Sequence, residues 1–334
     1  MGRSITDLRI SVIDNCNLRC SYCMPSDAYG DGYRFLKREE LLSFEEITRL
    51  AGLFVALGVN KIRLTGGEPL LRRELPKLVG MLAAVDGVNE LALTTNGVFL
   101  KRFARPLREA GLDRLTVSVD SLDDDLAGKI NGRGVSVVNA LEGIEAAREA
   151  GFDDIKINVV VQKGVNDRGV LDLVSYFKEH GCMVRFIEYM DVGNRNDWNL
   201  QEVVSSETLR RRIHEKFPLM PVKSKKLFAG EVADRYAFED GSGEVGFISS
   251  VSQPFCGQCS RARVSADGKF FTCLFAESGS DIKGSLRSGD TDKELIEQLK
   301  AVWTDRSDRY SELRATAPLK ERPTQKIEMY QIGG

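Results

Sequence analysis

A chain of 334 residues, 42% hydrophobic and 29% charged, is long enough to bury one large core or one core with a smaller companion. Its 47 basic and 49 acidic residues leave a formal charge of -2. That excludes a general nucleic-acid or membrane-surface binder, though not a local basic pocket. Two histidines argue against a histidine-ligated zinc enzyme or a His-based triad. No apolar stretch reaches transmembrane length, and none follows the opening MGRSITDLR. A cytoplasmic chain without a membrane anchor or signal peptide is therefore expected.

Strand patterns rich in Val, Ile, Leu and Thr fall at 8–13, 61–64, 91–95, 114–119, 155–160 and 184–189. They read as near-continuous apolar strands of a parallel core. Helical patterns lie between them at about 43–57, 74–85, 101–110, 136–150 and 168–180, with another at 206–216. Ser43 and Glu46 have the spacing of a capping box. Gly58, Gly87, Gly111, Gly151 and Gly181 each follow a helix, where a left-handed stop is wanted. Six βα units result. Rossmann winding would give the same alternation, but no glycine-rich dinucleotide fingerprint follows the first strand. Cys16, Cys20 and Cys23 stand there instead. The expected fold is α/β, an incomplete TIM-like (βα)6 barrel, with its chemistry at the C-terminal ends of the strands.

After about residue 220 the texture changes, so residues 1–219 are expected to form the partial barrel and 220–334 a C-terminal α+β region. Short runs at 232–238 and 245–249 flank Glu239-Asp240-Gly241-Ser242-Gly243-Glu244, which reads as a hairpin turn. The letters GxGxxG from Gly241 to Gly246 lack a surrounding βαβ unit, so a nucleotide loop is not expected there. A late helix is expected at about 292–304. The chain ends Ile332-Gly333-Gly334.

Six of the seven cysteines form two triplets: Cys16, Cys20, Cys23 and Cys256, Cys259, Cys273. The count is odd and no export signal is seen, so two metal centres suit the chain better than a disulfide framework. The first triplet offers three soft ligands and no histidine in the first half of the barrel. A zinc staple would want a fourth protein ligand. A [4Fe–4S] cluster with one iron open to an exogenous ligand fits better. On residues alone, the second triplet is open between zinc and a structural cluster. Cys182 stands apart and is expected to be a buried thiol without chemistry.

The first triplet followed by Met24-Pro25 resembles the signature of radical S-adenosylmethionine (SAM) enzymes, and among them the GTP 3′,8-cyclase family of molybdenum cofactor biosynthesis. The resemblance covers nearly the whole chain. It implies SAM on the open iron of the first cluster and cleavage of SAM to a 5′-deoxyadenosyl radical. Leu64-Thr65-Gly66-Gly67-Glu68-Pro69 matches the family's GGEP segment, which places Gly66, Gly67 and Glu68 against the methionine amino group. Tyr22, Thr94, Asn96, Ser118 and Met190 are implied as further cofactor contacts. The spacing of Cys256, Cys259 and Cys273 matches the family's second [4Fe–4S] site, whose open iron takes guanine. Arg63, Lys156 and Arg185 are implied at the triphosphate, with Lys61 joining Arg63 by strand period. Arg9, Arg261 and Arg263 are implied in the channel between the clusters, both as substrate contacts and as catalytic residues, together with a tail ending in Gly333 and Gly334.

The implied reaction abstracts H3′ of GTP and joins C3′ to C8, giving (8S)-3′,8-cyclo-7,8-dihydroguanosine 5′-triphosphate. A second enzyme, cyclic pyranopterin monophosphate synthase, then consumes it. A low-potential donor such as flavodoxin or ferredoxin is implied, and homodimers occur in the family. Two rivals stand beside this reading. One is a peptide-modifying radical maturase, which usually carries more C-terminal cysteines. The other is a metal-stapled scaffold without catalysis.

Overall fold

The computed structural model describes residues 2–222, 231–314 and 325–333. Six parallel strands lie side by side in chain order: β1 (Asp7–Ser11), β2 (Lys61–Thr65), β3 (Glu90–Thr95), β4 (Arg114–Ser118), β5 (Lys156–Val161) and β6 (Met183–Glu188). Rossmann winding requires a reversal of strand order, so this sheet is not of that kind. The connecting helices are α1 (Phe44–Ala56), α2 (Leu75–Ala83), α3 (Leu100–Glu109), α4 (Asp124–Ile130), α5 (Val138–Glu149), α6 (Val170–Glu179) and α7 (Ser206–Lys216). Ser43 Oγ accepts from the Glu46 amide at 3.1 Å, and Glu46 returns the bond to the Ser43 amide at 2.7 Å, so α1 opens on the expected capping box. The five glycines expected to end helices all have positive φ.

The short helix α4 has no counterpart in the sequence reading. Asp123 caps it, but its seven residues contribute only Ile130 to the buried set, so no apolar period marks it. Its C-terminal end carries weight all the same. The carbonyls of Ile130 and Asn131 accept from the amides of Ser21 and Arg19 at 3.1 and 2.7 Å, inside the first cysteine triplet.

The later strands are β7 (Leu219–Pro221), β8 (Asp234–Phe238), β9 (Glu244–Ile248), β10 (Arg261–Val264), β11 (Lys269–Phe271) and β12 (Ser280–Asp281). β8 and β9 are antiparallel across the glycine turn, which is therefore a hairpin. Among the described residues, all twelve strands form one sheet, in the order β12-β11-β10-β1-β2-β3-β4-β5-β6-β9-β8-β7. The C-terminal strands thus extend both edges of the six-stranded unit, with β10 parallel to β1 and β9 parallel to β6. Among the described residues four helices follow: α8 (Lys283–Ser288), α9 (Asp292–Asp305), α10 (Tyr310–Leu313) and α11 (Met329–Ile332). No helix among the described residues is long and apolar enough to cross a membrane.

The central strands are not continuously apolar as expected; they alternate. Leu8, Ile10, Ile62, Leu64, Leu91, Leu93, Leu115, Val117, Ile157 and Val159 are buried in the main core. The intervening residues include Arg9, Lys61, Arg63, Thr94, Arg114 and Lys156, and these line a cavity. A parallel sheet buried on both faces needs apolar residues on both. Here one face covers the helices and the other encloses a polar chamber.

Candidate active site

Strand register stacks the chamber's side chains in rungs. Asp7 lies between Arg261 and Lys61, and Arg9 lies between Arg263 and Arg63. Ser11 pairs with Thr65 one rung further along. Rungs two residues apart are separated by about 6.6 Å. The two cysteine triplets occupy opposite ends of this stack. Cys16, Cys20 and Cys23 follow the C-terminal end of β1, whereas Cys259 precedes the first residue of β10, which runs parallel to β1. Cys273 follows β11, antiparallel to β10, and so returns to the end where Cys259 lies.

The first triplet sits on a loop held from several sides. Arg19, inside the triplet, is buried and turns inward: its Nε donates to the Tyr29 carbonyl at 2.6 Å and its Nη1 to the Cys16 carbonyl at 2.7 Å. The GGEP segment packs along the other side. The amides of Gly67 and Glu68 donate to the carbonyls of Ile13 and Asn15, each at 2.9 Å. A Cβ on Gly66 would overlap the Ile13 carbonyl, and one on Gly67 the Asn15 carbonyl. The close approach that these glycines permit in this chain is thus to the cysteine loop. Glu68 is buried and accepts from Thr95 Oγ1 at 2.7 Å and from the amides of Asn96 and Leu70 at 2.8 and 3.0 Å. Burial outweighs those bonds and pushes its carboxyl up to about 7. Asn96 Nδ2 reaches Cys16 Sγ at 3.9 Å and Asn17 Oδ1 at 2.9 Å. Tyr22 donates from its hydroxyl to Asp120 Oδ2 at 2.7 Å. Ser118 ends β4 in register with Asn158. Thr94 and Met190, by contrast, line the cation chamber, where Thr94 Oγ1 accepts from Arg63 Nη1 at 3.1 Å.

The chamber, about 190 Å³, brings together all seven cations expected at the substrate: Arg9, Lys61, Arg63, Lys156, Arg185, Arg261 and Arg263. Cys256, Cys259 and Cys273 lie in the same wall. Arg185 Nε donates to Asn158 Oδ1 at 3.0 Å, and its Nη2 to Thr116 Oγ1 at 3.3 Å. Burial, then Arg114, lowers Lys156 to about 8, with Asp154 opposing. Burial, then Arg263 and Arg261, also lowers Arg9. A guanidinium starts so far above neutrality that these arginines stay charged at pH 7. Arg263 donates to the carbonyls of Gly333 and, at 3.3 Å, Ile332. The tail therefore meets one of the three expected arginines. Gly334 lies outside the described residues. Tyr330 in α11 is buried among Tyr29, Tyr33 and Phe35, so the tail also packs on the chain that follows the first triplet.

The donor sets suit thiolate-bound iron–sulfur clusters. All six cysteines are half-buried and free of disulfides. Backbone amides point at sulfur: Leu18 to Cys16 Sγ and Phe275 to Cys273 Sγ, each at 3.4 Å. Burial would raise the Cys259 thiol, but Arg261, with Arg306 adding, pulls it to about 6, whereas burial raises Cys16, Cys20, Cys23 and Cys273, which need the positive charge of bound iron to be held as thiolates. Among the described residues no three His, Cys, Asp or Glu side chains close on a point that a single metal ion could occupy. Thiolates at the corners of a larger iron–sulfur cube need no such point.

Residues 10–177 match the Radical SAM superfamily, and residues 182–312 match Molybdenum Cofactor Synthesis C. The chain is 51% identical over its full length to a GTP 3′,8-cyclase of Xanthomonas axonopodis pv. citri, covering 97% of that protein. It is 48% identical over its full length to a GTP 3′,8-cyclase of Staphylococcus epidermidis, covering 98% of it. The chain belongs to the GTP 3′,8-cyclase family of radical SAM enzymes. Among solved structures it resembles Streptococcus suis SuiB bound to its precursor peptide SuiA, with a TM-score of 0.65 at 13% identity, over 97% of this chain and 75% of that one. SuiB bound to S-adenosylmethionine aligns with a TM-score of 0.59 at 14% identity, over 91% of this chain and 64% of that one. At that identity the likeness speaks for the radical SAM fold alone. Membership of the family brings an iron–sulfur cluster and SAM.

Sequence reasoning passed over several residues of the chamber. Asp7 and Arg114 line it. Strand period two from Arg9 would have found Asp7, and the charged first residues of β2 and β5 would have suggested Arg114. Arg3 and Arg306 line it from distant parts of the chain, donating to the carbonyls of Cys256 at 2.5 Å and Cys259 at 3.1 Å. No local pattern marks either.

Proposed function

We infer that the chain is a GTP 3′,8-cyclase that carries out the first step of molybdenum cofactor biosynthesis. The observation that carries this reading is a cation-lined chamber with the second cysteine triplet in its wall, on parallel strands whose opposite end leads into the first triplet. In this reading the six central strands curve into an incomplete barrel, residues 1–219 hold SAM, and residues 220–334 hold the second cluster and guanine. Cys16, Cys20 and Cys23 hold one [4Fe–4S] cluster, and Cys256, Cys259 and Cys273 a second. With SAM bound, the first cluster supplies the 5′-deoxyadenosyl radical that takes the 3′ hydrogen of GTP. The protein's share is placement. Lys61, Arg63, Lys156 and Arg185 neutralise the triphosphate, and this sets the ribose between the two ends. Asn96, Glu68 and the glycine loop shape the SAM side with Tyr22 and Ser118, and Thr94 and Met190 meet SAM from the wall of the cation chamber. Arg9, Arg261, Arg263 and the Gly333-Gly334 tail crowd the reacting sugar and base and keep water out. A low-potential flavodoxin or ferredoxin supplies the electron. Cyclic pyranopterin monophosphate synthase takes the product, in the cytoplasm.

Anaerobic incubation with GTP, SAM and a reductant tests the reading. The expected result is 5′-deoxyadenosine formed in a GTP-dependent manner, together with the cyclised triphosphate. Formation of 5′-deoxyadenosine that is indifferent to GTP overturns it.

Lys156 makes substrate capture sensitive to pH. With its ammonium lowered to about 8, it is charged below that pH and loses its proton above it. A triphosphate needs the charged form, so kcat/KM for GTP falls about tenfold per pH unit beyond 8. Lys156→Arg keeps its charge at this position, so the fall that begins in wild type at about pH 8 is displaced upward, to where burial has lowered Arg185, about 9.

A further inference from the structure

The charges of the chamber are ordered by strand. In the rung at the end of the second triplet, Arg261, Asp7, Lys61 and Glu90 stand in register on four adjacent strands. Their signs alternate. Lys61 Nζ lies 2.6 Å from Glu90 Oε1, and Arg114 Nη1 lies 3.1 Å from Glu90 Oε2. Each carboxylate therefore sits between two cations. The next rung has no such interleaving: Arg263, Arg9 and Arg63 are followed by Ala92.

Asp7 lines the chamber and is only 7% exposed, and its buried Oδ1 accepts no hydrogen bond. It supports the charged state of Arg9, Lys61, Arg63, Arg261 and Arg263. A carboxylate placed where a phosphate chain is to bind repels that chain. Its presence needs a reason other than ligand contact. Gathering this many cations in a low-dielectric chamber is costly unless counter-charge is supplied.

We propose that Asp7, in the chamber wall, and Glu90, which pairs with the wall cations Lys61 and Arg114, are internal counter-ions of the chamber, offsetting part of its positive charge before nucleotide arrives and setting the affinity at which a triphosphate displaces them. The proposal rests on the reading that this chamber takes a triphosphate. Lys61 exchanges Glu90 for phosphate on binding. Asp7 keeps the Arg261 end of the chamber closed to phosphate, which directs the chain of charge toward Arg63, Lys156 and Arg185.

The test uses the full chain, anaerobically reconstituted, in Asp7→Asn and Glu90→Gln forms. Thermal unfolding is measured without ligand, and binding of inorganic tripolyphosphate and of GTP is measured by calorimetry. Both variants unfold at lower temperature than wild type, yet bind tripolyphosphate about tenfold more tightly, because one repelling charge is gone. A residue with a merely structural role would lower both quantities together. Unchanged or weaker tripolyphosphate binding in both variants overturns the proposal. Glu90→Gln decides alone if Asp7→Asn does not fold, since Glu90 lies on a different strand and faces Arg114 as well. Wild-type protein that binds tripolyphosphate but not GTP overturns the cyclase reading and leaves the counter-ions standing. Wild-type protein that binds neither overturns both.

Discussion

Cys20→Ala loses GTP-dependent 5′-deoxyadenosine formation by about three orders of magnitude or more, because one corner of the first cluster has no ligand. Cys256→Ala behaves differently. It still forms 5′-deoxyadenosine from SAM, at a rate that GTP no longer controls, and no cyclised triphosphate accumulates. The separation follows from topology, since the two triplets lie at opposite ends of the strands and share no wall. Iron analysis after anaerobic reconstitution checks both. If each triplet holds a [4Fe–4S] cluster, as proposed, the expected result is about eight irons per chain in wild type and about four in each variant. Loss of SAM binding in Cys256→Ala would contradict this division of labour.

Gly67→Ala costs about 3 kcal/mol of stability, a shift of roughly 5 °C or more in unfolding temperature. The added methyl would overlap the backbone of Asp14 and Asn15, and backbone cannot swing aside as the end of a flexible side chain can. The same strain displaces the loop that carries Cys16, so first-cluster loading falls with stability. Gly52→Ala is the control. Gly52 lies within α1 with ordinary φ and nothing within 4 Å of an added Cβ, so alanine there leaves stability unchanged or slightly raised. Unfolding curves and iron content for the two variants check the contrast. Equal behaviour would show that the glycines do not clamp the cysteine loop.

Much of the scaffold can be read locally. The helix stops at Gly58, Gly87, Gly111, Gly151 and Gly181 follow from the need for positive φ, and each has it. The Ser43–Glu46 box and the 241–243 hairpin turn are likewise short-range chemistry. Helix α4 escaped because it buries almost nothing, although it braces Arg19 and Ser21. Glu68 shows how a correct motif can carry a further duty. Its carboxylate ties the loop after β2 to Thr95 and Asn96 at the end of β3, a pairing of positions 27 and 28 residues apart.

By itself the sequence determined the βα alternation, the two groups of thiols and the cations at the starts and middles of strands. These rest on period, spacing and residue chemistry, which act over a few residues. Tertiary structure alone decided that β10 and β9 join opposite edges of the six-stranded unit. It set Arg263, Arg9 and Arg63 in one rung, and brought Arg3 and Arg306 to the second triplet. Those contacts join residues up to 254 positions apart, Arg9 with Arg263. Register between strands and the burial of a shared face fix them, and neither is written in any one stretch of chain.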